Sequence, residues 1–430
     1  MKLLSPEISP RLFVIHRNRW HKAAENIAGI GFFVFFPGFL MYHLATATTS
    51  FPPFLGGLFG HSAILLAVIL PVISFPFFKN YISASPFYIE LFFIFIIYVL
   101  LWTAAHWFLT GSDEIASASI QSVKTIVIWV AMFYVGMLLP RISIYSNVLY
   151  SFLFFFMLIS LILYVALTGQ GMFYAKRIFS GEEVASYQVF ARSALVVIVF
   201  TLVSKRTLAM RSVIIFGGLF VLFVLGARSE FAGFLLLSLV LLALFTLRTP
   251  RFFFYFLIGM LGIVLSLLFW EGGIQTRQTE LMDIASSSSW QARMYLQDIA
   301  TTQIYRSPVF GVFGGHVLEG GSTSAYSHNV LSAWVSYGAF GFLVYVLLTS
   351  IPAVVSFYYV ITRIYNDDWL LCFCINCISL VSIIAVKSVF WPLPALGWGL
   401  YVRACLQTKS PHRIRRERRN CESGDIWLNT

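Results

Sequence analysis

Apolar residues fill most of the chain in long stretches that are separated by short polar segments. A stretch of about 20 apolar residues is long enough to cross the hydrocarbon core of a membrane as an α-helix. Since the whole chain of 430 residues follows this pattern, we expect one all-α, polytopic bundle that forms a single membrane domain over residues 1–430. The pattern predicts twelve spans, at 26–47, 61–79, 88–108, 120–140, 148–168, 189–204, 212–227, 231–247, 252–270, 339–362, 369–390 and 394–407.

The composition supports this interpretation. Hydrophobic residues make up 59% of the chain, charged residues 11%, and the mean hydropathy is +0.83. A soluble domain carries about 25% charged residues, and a globule of this size cannot hide so much apolar surface from water. The composition therefore excludes a soluble enzyme, a disordered chain and a fibrous protein.

The net charge of +11 is best explained by membrane orientation. Most Lys and Arg residues fall in the loops on the side of the N-terminus and in the basic tail at 408–430. Because cytoplasmic loops are enriched in Lys and Arg, both termini are predicted to be cytoplasmic. No soluble basic domain is available to bind nucleic acid, so the expected surroundings are membrane lipids.

The longest polar segment is an external loop, predicted at 271–338 between the ninth and tenth spans. Within it, 290–306 is predicted to form a weakly amphipathic helix. Its apolar face is expected to combine Ala292, Tyr295, Leu296 and Ile299, which follow helical spacing. A glycine-rich stretch at 311–321 follows the helix, and it contains His316, whose claim to a function is weaker than that of His328 below.

Several cations oppose the general charge trend and are predicted near the external face. A group of such cations is suited to a diphosphate, because the guanidinium fork binds phosphate oxygens in pairs. Two alternatives stay open: the cations within spans extend to the interface, or Arg228 pairs locally with Glu230. The cations are Lys124, Arg192 and Lys387 within spans, Arg228 in a tight turn, and Arg293 and Arg306 in the large loop.

His328 is the other candidate functional residue. Helical spacing after it predicts a short helix, with Ser327 as its N-cap. The positive end of the helix dipole would lower the pKa of His328 and keep its imidazole neutral. A neutral imidazole accepts a hydrogen bond from a hydroxyl group, and the helix end also binds phosphate. The alternative is a purely structural interfacial histidine.

Three segments resemble the O-antigen ligase and polymerase superfamily of bacterial membrane glycosyltransferases. The first is an arginine in an outer turn that leads into a span, LGARSEFAGF. The second is the loop helix and the turn after it, WQARMYLQDIATTQIYRSPVFGVFGG. The third is a His-Asn pair followed by Gly-x-x-Gly, SHNVLSAWVSYGAFGFL. The resemblance covers about 220–350, in the same order as in the family.

The resemblance implies a GT-C-like, metal-independent, inverting transferase without a cofactor, in the bacterial inner membrane with a periplasmic active site. Its donor would be a glycan on an undecaprenyl diphosphate-type lipid, and its acceptor a glycan or the lipid A core. Arg228 and Arg293 would hold the diphosphate, and His328 would engage the acceptor hydroxyl or the diphosphate. Substrate-binding residues would be Arg192, Arg306, Lys387, Lys124, Glu230 and Asn329. No metal site is implied.

This chain departs from the family pattern in two places. Eight residues, 330–337, separate the His-Asn pair from the first glycine, where the family usually has nine. Glu230 stands where many members have a small residue, which leaves an acidic role for Glu230 open.

Two other classes remain as alternatives, a transporter or flippase of lipid-linked sugars and a non-catalytic assembly partner. A two-halved carrier is expected to show related halves, often joined by a central linker, whereas the longest loop here is external and late in the chain.

Overall fold

The computed structural model is entirely helical in its regular structure, within the residues that it describes. These are residues 10–42, 59–140, 144–169, 171, 173, 187–246, 254, 257, 258, 261, 288–362 and 366–409. The helices are α1 Pro10–Phe33, α2 Phe59–Ser74, α3 Phe78–Ala84, α4 Pro86–Thr110, α5 Asp113–Leu138, α6 Ile144–Thr168, α7 Tyr187–Ser204, α8 Leu208–Val224, α9 Arg228–Thr246, α10 Ser288–Arg306, α11 Gly315–Gly320, α12 Leu331–Thr362, α13 Asp367–Ala385 and α14 Leu393–Lys409.

The helices confirm a helical membrane protein. In the described part of the chain, eight helices are long and apolar enough to cross a membrane, and two shorter apolar helices lie at Gln188–Ser204 and Leu208–Val224. Most of the predicted span 252–270, most of the loop before α10 and the tail from 410 onward lie outside the described residues. The number of about twelve spans, the GT-C likeness and the orientation of the termini stay predictions.

Helix α5 lies at the centre of the bundle and packs against α1, α2, α4 and α14. Its contact with α14 is close because glycines replace side chains at the crossing. A Cβ atom at Gly136 would collide with the carbonyl oxygen of Leu396, and one at Gly399 would collide with that of Phe133. Small residues let membrane helices approach backbone to backbone, and dispersion contacts then hold them together.

Helix α12 consists of a short first segment and a long span that meet at Gly338. This glycine has φ 68° and ψ −178°, outside the helical region, and only glycine adopts this conformation readily. The break separates a short helix at the loop from a span that continues to Thr362. The sequence prediction of a short helix followed by a span at 339–362 is therefore confirmed.

The break also fixes the turn after α10 against α12. The Val312 N–H donates to the Val335 carbonyl at 2.8 Å, and the Ala339 N–H donates to the Val309 carbonyl at 2.9 Å. A Cβ atom at Gly311 or at Gly338 would collide with the backbone on the other side.

Side chains of α4 bind two of the carbonyls that the break leaves without a helical partner. The Trp102 indole donates to the Ser336 carbonyl at 3.1 Å, and the Tyr98 hydroxyl donates to the Tyr337 carbonyl at 2.7 Å. Backbone groups at membrane depth need such partners because hydrocarbon offers none.

Helix α10 is confirmed, but half of its predicted apolar face is wrong. Ala292 and Tyr295 are exposed, whereas Leu296 and Ile299 are partly buried. The fully buried positions continue along the helix as Ala300 and Gln303. The face turned to α11 and α12 is therefore rotated from the predicted one and includes a polar amide, which an apolar pattern does not reveal.

Candidate functional site: a cationic cluster beside His328

Glu230 lies at the centre of the candidate site, in the first turn of α9. Gly226, with φ 71°, makes the tight turn that ends α8, and Arg228 opens the next helix as a partly exposed residue. Glu230 is only 1% exposed, and the Ser229 hydroxyl donates to its Oε2 atom at 2.6 Å. A carboxylate is favourable at a helix N-terminus, but its burial demands a cationic partner.

Lys387 supplies that partner from another part of the chain. Its Nζ atom lies 2.8 Å from Oε1 of Glu230, and both side chains are buried. The N–H groups of Val386 and Lys387 both donate to the Ser382 carbonyl, which turns the chain at the end of α13. Lys387 thus follows α13 instead of lying within a span that reaches residue 390. Its ammonium group also lies 5.7 Å from the centre of the Trp391 ring.

Arg192 brings a second buried cation to the same carboxylate. This residue of α7 is 8% exposed, and its charge interacts with that of Glu230. Its guanidinium carbon lies 5.5 Å from the centre of the Phe59 ring. Among the described residues its Nε atom has no hydrogen-bond partner. Among the residues that the structure describes, Glu230 therefore faces two buried cations, Lys387 and Arg192, so these three side chains together carry one excess positive charge. Below, we call these three residues the Glu230 cluster.

His328 lies at the edge of the Glu230 cluster, between it and α10. Its pKa is lowered to about 4, first by burial and then by the positive charges of Arg293 and Lys387. The imidazole is therefore neutral at pH 7. The sequence prediction attributed a lowered pKa of His328 to the helix dipole. In the structure the pKa is lowered by burial and by the two nearby cations. The positive charges of Arg293 and Lys387 both act on His328, and a functional site shared by these three residues stays a prediction.

Asn329 positions His328. Its Oδ1 atom accepts from the Leu331 N–H at 3.0 Å and from the Ser327 hydroxyl at 2.8 Å, and its Nδ2 atom donates to Gln297 of α10 at 3.1 Å. The predicted N-cap at Ser327 is therefore wrong, because the Asn329 side chain caps α12 two residues later. The amide of Asn329 is used within the protein, and it holds the His328 segment to α10.

Ser332 joins the same segment to the loop that carries Lys387. Its hydroxyl donates to the Asn329 carbonyl at 2.7 Å and accepts from the Val389 N–H at 2.8 Å. One hydroxyl therefore couples the start of α12 to the chain beyond α13, two residues after Lys387.

Two predicted cations take other positions. Lys124 is exposed on α5 and makes no ion pair in the part of the chain that the structure describes. Arg306 is also exposed, and its Nη1 atom lies 3.0 Å from Oε1 of Glu319 on α11. Surface ion pairs of this kind contribute about 0–1 kcal/mol. Neither residue is brought to the Glu230 cluster by a contact described here.

The sequence interpretation ranked His316 below His328 and gave no role to two glutamines beside it. His316 and Gln303 are both buried and line a small cleft under α10. The Nε2 atom of His316 lies 3.0 Å from Oε1 of Gln121. Only the glycines around His316 signalled this cleft, since Gly314 and Gly315 let the chain pass against Ile115 and Gln303.

The positive charge of the site comes from Lys and Arg side chains. Within the described ranges, no group of three or more His, Cys, Asp or Glu residues is arranged to hold a metal ion. Fixed cations at a boundary of low dielectric stabilise an anion strongly, because they do not have to reorganise when the charge appears.

Comparison with known proteins leaves this geometry as the main guide to function. No protein-family model matches the chain, and a search of curated proteins found no match.

Proposed function

We propose that the protein is a membrane glycosyltransferase that moves a glycan from an undecaprenyl diphosphate-type lipid to an acceptor sugar. The observation that carries the proposal is the excess of buried positive charge around Glu230, next to a neutral histidine. A buried charge without a partner is costly, so an anion that completes the Glu230 cluster binds with a large gain.

The chemistry fits a diphosphate leaving group. Negative charge develops on the phosphate as the glycosidic bond breaks, and the cations Arg293, Arg192 and Lys387 would stabilise it. Arg228 adds a further guanidinium at the start of α9, two residues from Glu230. A sugar diphosphate is already activated, so the transfer needs no nucleotide. The lipid tail of the donor explains why the site belongs to a membrane protein.

The three segments that resemble the O-antigen ligase and polymerase superfamily support this proposal by their positions. The arginine turn leads into Glu230, which pairs with Lys387. The turn after α10 is hydrogen-bonded to α12. The positive charge of Arg293 acts on His328. A ligase would use the lipid A core as its acceptor, and a polymerase would use a second lipid-linked glycan. The resemblance of the loop helix favours the ligase. The active site is proposed to face the periplasm.

The test is transfer by the purified protein. Undecaprenyl diphosphate-linked oligosaccharide is mixed with lipid A-core or with lipid-linked acceptor, in the presence of EDTA. Arg228→Ala, Arg293→Ala and His328→Ala are each expected to lower kcat/KM by about 10²–10³, the usual cost of removing one group that stabilises developing charge. Arg306→Ala is the matched control, because its guanidinium lies on the same helix as Arg293 but pairs with Glu319 at the surface.

The products separate the alternatives. Glycan on the lipid A core identifies a ligase, and a longer lipid-linked glycan identifies a polymerase. Full transfer by Arg293→Ala and His328→Ala would contradict the site. Movement of the donor across vesicles without any product would support the transporter instead.

A further inference from the structure

A small cleft lies beside the Glu230 cluster, between α10, α11 and the start of α12. It encloses about 240 Å³, including space open to solvent. Its polar walls are His316, Gln303, Ser327 and Ser336, and its apolar walls include Leu296 and Tyr326. Much of this volume is open to solvent, and the enclosed part has room for about one water-sized group. The cleft therefore suits a single hydroxyl-sized group of a larger ligand.

The hydrogen bonds of Gln121 fix the chemistry of His316. The side-chain amide nitrogen of Gln121, Nε2, donates to the Thr323 carbonyl at 3.0 Å. The Oε1 atom of Gln121 must then face Nε2 of His316, 3.0 Å away, and this ring nitrogen must carry the hydrogen. Burial lowers the pKa of His316 to about 4, so the ring is neutral at pH 7. The lone pair therefore sits on Nδ1.

Two buried atoms in the walls of the cleft have no partner. Among the described residues, neither Nδ1 of His316 nor Nε2 of Gln303 has a hydrogen-bond partner. His316 is 5% exposed and Gln303 is 1% exposed. Leaving a buried polar group without a hydrogen-bond partner is unfavourable. One atom is an acceptor and the other a donor, which together match a hydroxyl group, because a hydroxyl both donates and accepts.

The cleft adjoins the cationic site through Tyr326. The ring centre of Tyr326 lies 5.2 Å from that of His328 and 6.2 Å from that of His316. Helix α10 also borders both places, with Arg293 near His328 and Gln303 in the wall of the cleft. Tyr326 therefore links the wall of the cleft to His328.

We propose that this cleft binds a hydroxyl group of the acceptor sugar, with His316 Nδ1 accepting from the hydroxyl and Gln303 Nε2 donating to its oxygen. The inference rests on the proposed function and divides the site in two. His328 faces the diphosphate, and His316 faces the acceptor. His316 and Gln303 bind the acceptor without taking its proton in the reaction.

The first experiment measures KM for donor and acceptor separately. His316→Phe keeps a ring but removes both nitrogens, and Gln303→Met keeps the length of the side chain but removes the amide. Each is expected to raise the acceptor KM about tenfold, which corresponds to about 1.4 kcal/mol, with the donor KM unchanged. Thermal unfolding of both variants checks that they fold. An unchanged acceptor KM in two folded variants, or an equal rise in both KM values, would overturn the proposal.

A series of acceptors that each lack one hydroxyl sharpens this result. For one of these deoxy acceptors, the KM with the original protein is expected to be about tenfold higher than that of the complete acceptor. With His316→Phe, removal of the same hydroxyl should not raise the acceptor KM any further. Additive losses at every hydroxyl would mean that none of them reaches the cleft.

The second experiment does not need turnover. Histidine residues are labelled with 15N, and the Nδ1 resonance is assigned with His316→Phe. Titration with the acceptor, or with glucose, galactose and N-acetylglucosamine if no transfer is found, is expected to shift this resonance. A shift without transfer keeps the subsite and rejects the proposed function. Glycan transfer without a shift of the His316 resonance rejects only the subsite. This outcome would also be seen if the cleft holds only water.

Discussion

Two buried ion pairs lie at opposite ends of α13, and they differ in what surrounds them. Lys387 and Glu230 meet beyond the C-terminal end at 2.8 Å, and Arg403 and Asp368 meet at the N-terminal end at 2.9 Å. The helix has 19 residues, so about 28 Å separates the two pairs. Burial and geometry are similar, so neither property distinguishes a functional pair from a structural one.

The balance of charge distinguishes them. Among the described residues, Arg403 of α14 and Asp368 of α13 form a pair of one charge each, and they join two packed helices. At the other end, Glu230 also faces Arg192, while Arg293 and Lys387 act on His328. A neutral pair is complete in the folded protein, whereas a cluster with excess charge is completed by a ligand of opposite sign. The candidate site therefore differs from the structural ion pair in its excess of positive charge and not in its burial.

The largest effect is expected at the balanced pair. Arg403→Met removes the guanidinium that lies 2.9 Å from the partly buried Asp368, and breaking a buried pair costs about 3–5 kcal/mol of stability in comparable cases. Glycan transfer per folded molecule should be unchanged, because this pair lies at the end of α13 away from His328. Thermal unfolding in detergent and transfer at a temperature below unfolding measure the two quantities. A normal unfolding temperature would show that Asp368 does not depend on Arg403.

A smaller loss of stability and a large loss of activity are expected for Lys387→Met. Arg192 remains to neutralise Glu230, so the unfolding temperature should fall less than in Arg403→Met. If the proposed function holds, transfer should fall by about 10²–10³, because one cation of the proposed leaving-group site is gone. Equal losses of stability in Lys387→Met and Arg403→Met would mean that Arg192 does not neutralise Glu230, and they would contradict the excess of positive charge at the Glu230 cluster.

Glu230→Gln tests the excess of charge directly. Without its carboxylate, the site holds Lys387 and Arg192 with no internal anion. Inorganic pyrophosphate should therefore raise the unfolding temperature of this variant more than that of the original protein, because a ligand stabilises the state that binds it. Asp368→Asn is the matched control at the other pair and should gain nothing beyond the original protein. Sodium chloride at equal ionic strength separates binding from screening.

The smallest effect is on the dependence of stability on pH. His316 and His328 both have a pKa of about 4 in the folded protein, against an ordinary value of 6.5. The unfolded chain then binds more protons between these values, so stability should fall as the pH decreases from about 6.5 to 4. His328→Asn should reduce this dependence of the unfolding temperature on pH.

Pyrophosphate should raise the pKa of His328, since it neutralises the charges of Arg293 and Lys387. An unchanged titration of His328 would show that pyrophosphate binds elsewhere.

The sequence predicts much of the helical architecture because hydrophobic length alone decides which segments enter a membrane. It predicts α10 and the short helix at the start of α12. That Arg293 and His328 serve one site stays a prediction. Local rules were less reliable at the ends of elements. Ser327 and Asn329 are both good capping residues, and the choice between them depends on Gln297, which binds the Asn329 amide from another helix.

The partners of the charged residues could not be predicted from spacing. Glu230 and Lys387 are 157 positions apart in the chain, yet they form the ion pair at the centre of the site. The role of Gln121 is equally remote, because it depends on Thr323 and His316 reaching α5 from the loop. Such contacts are set by the packing of whole helices, and no local pattern records them.

The contact between Gly311 and Gly338 has a consequence for how the chain tolerates change. Two main chains touch there with no side chain between them, so no larger or smaller residue can adjust their spacing. An alanine at either glycine would force the two main chains apart and displace the turn that follows α10 from α12, so both glycines are hard to replace.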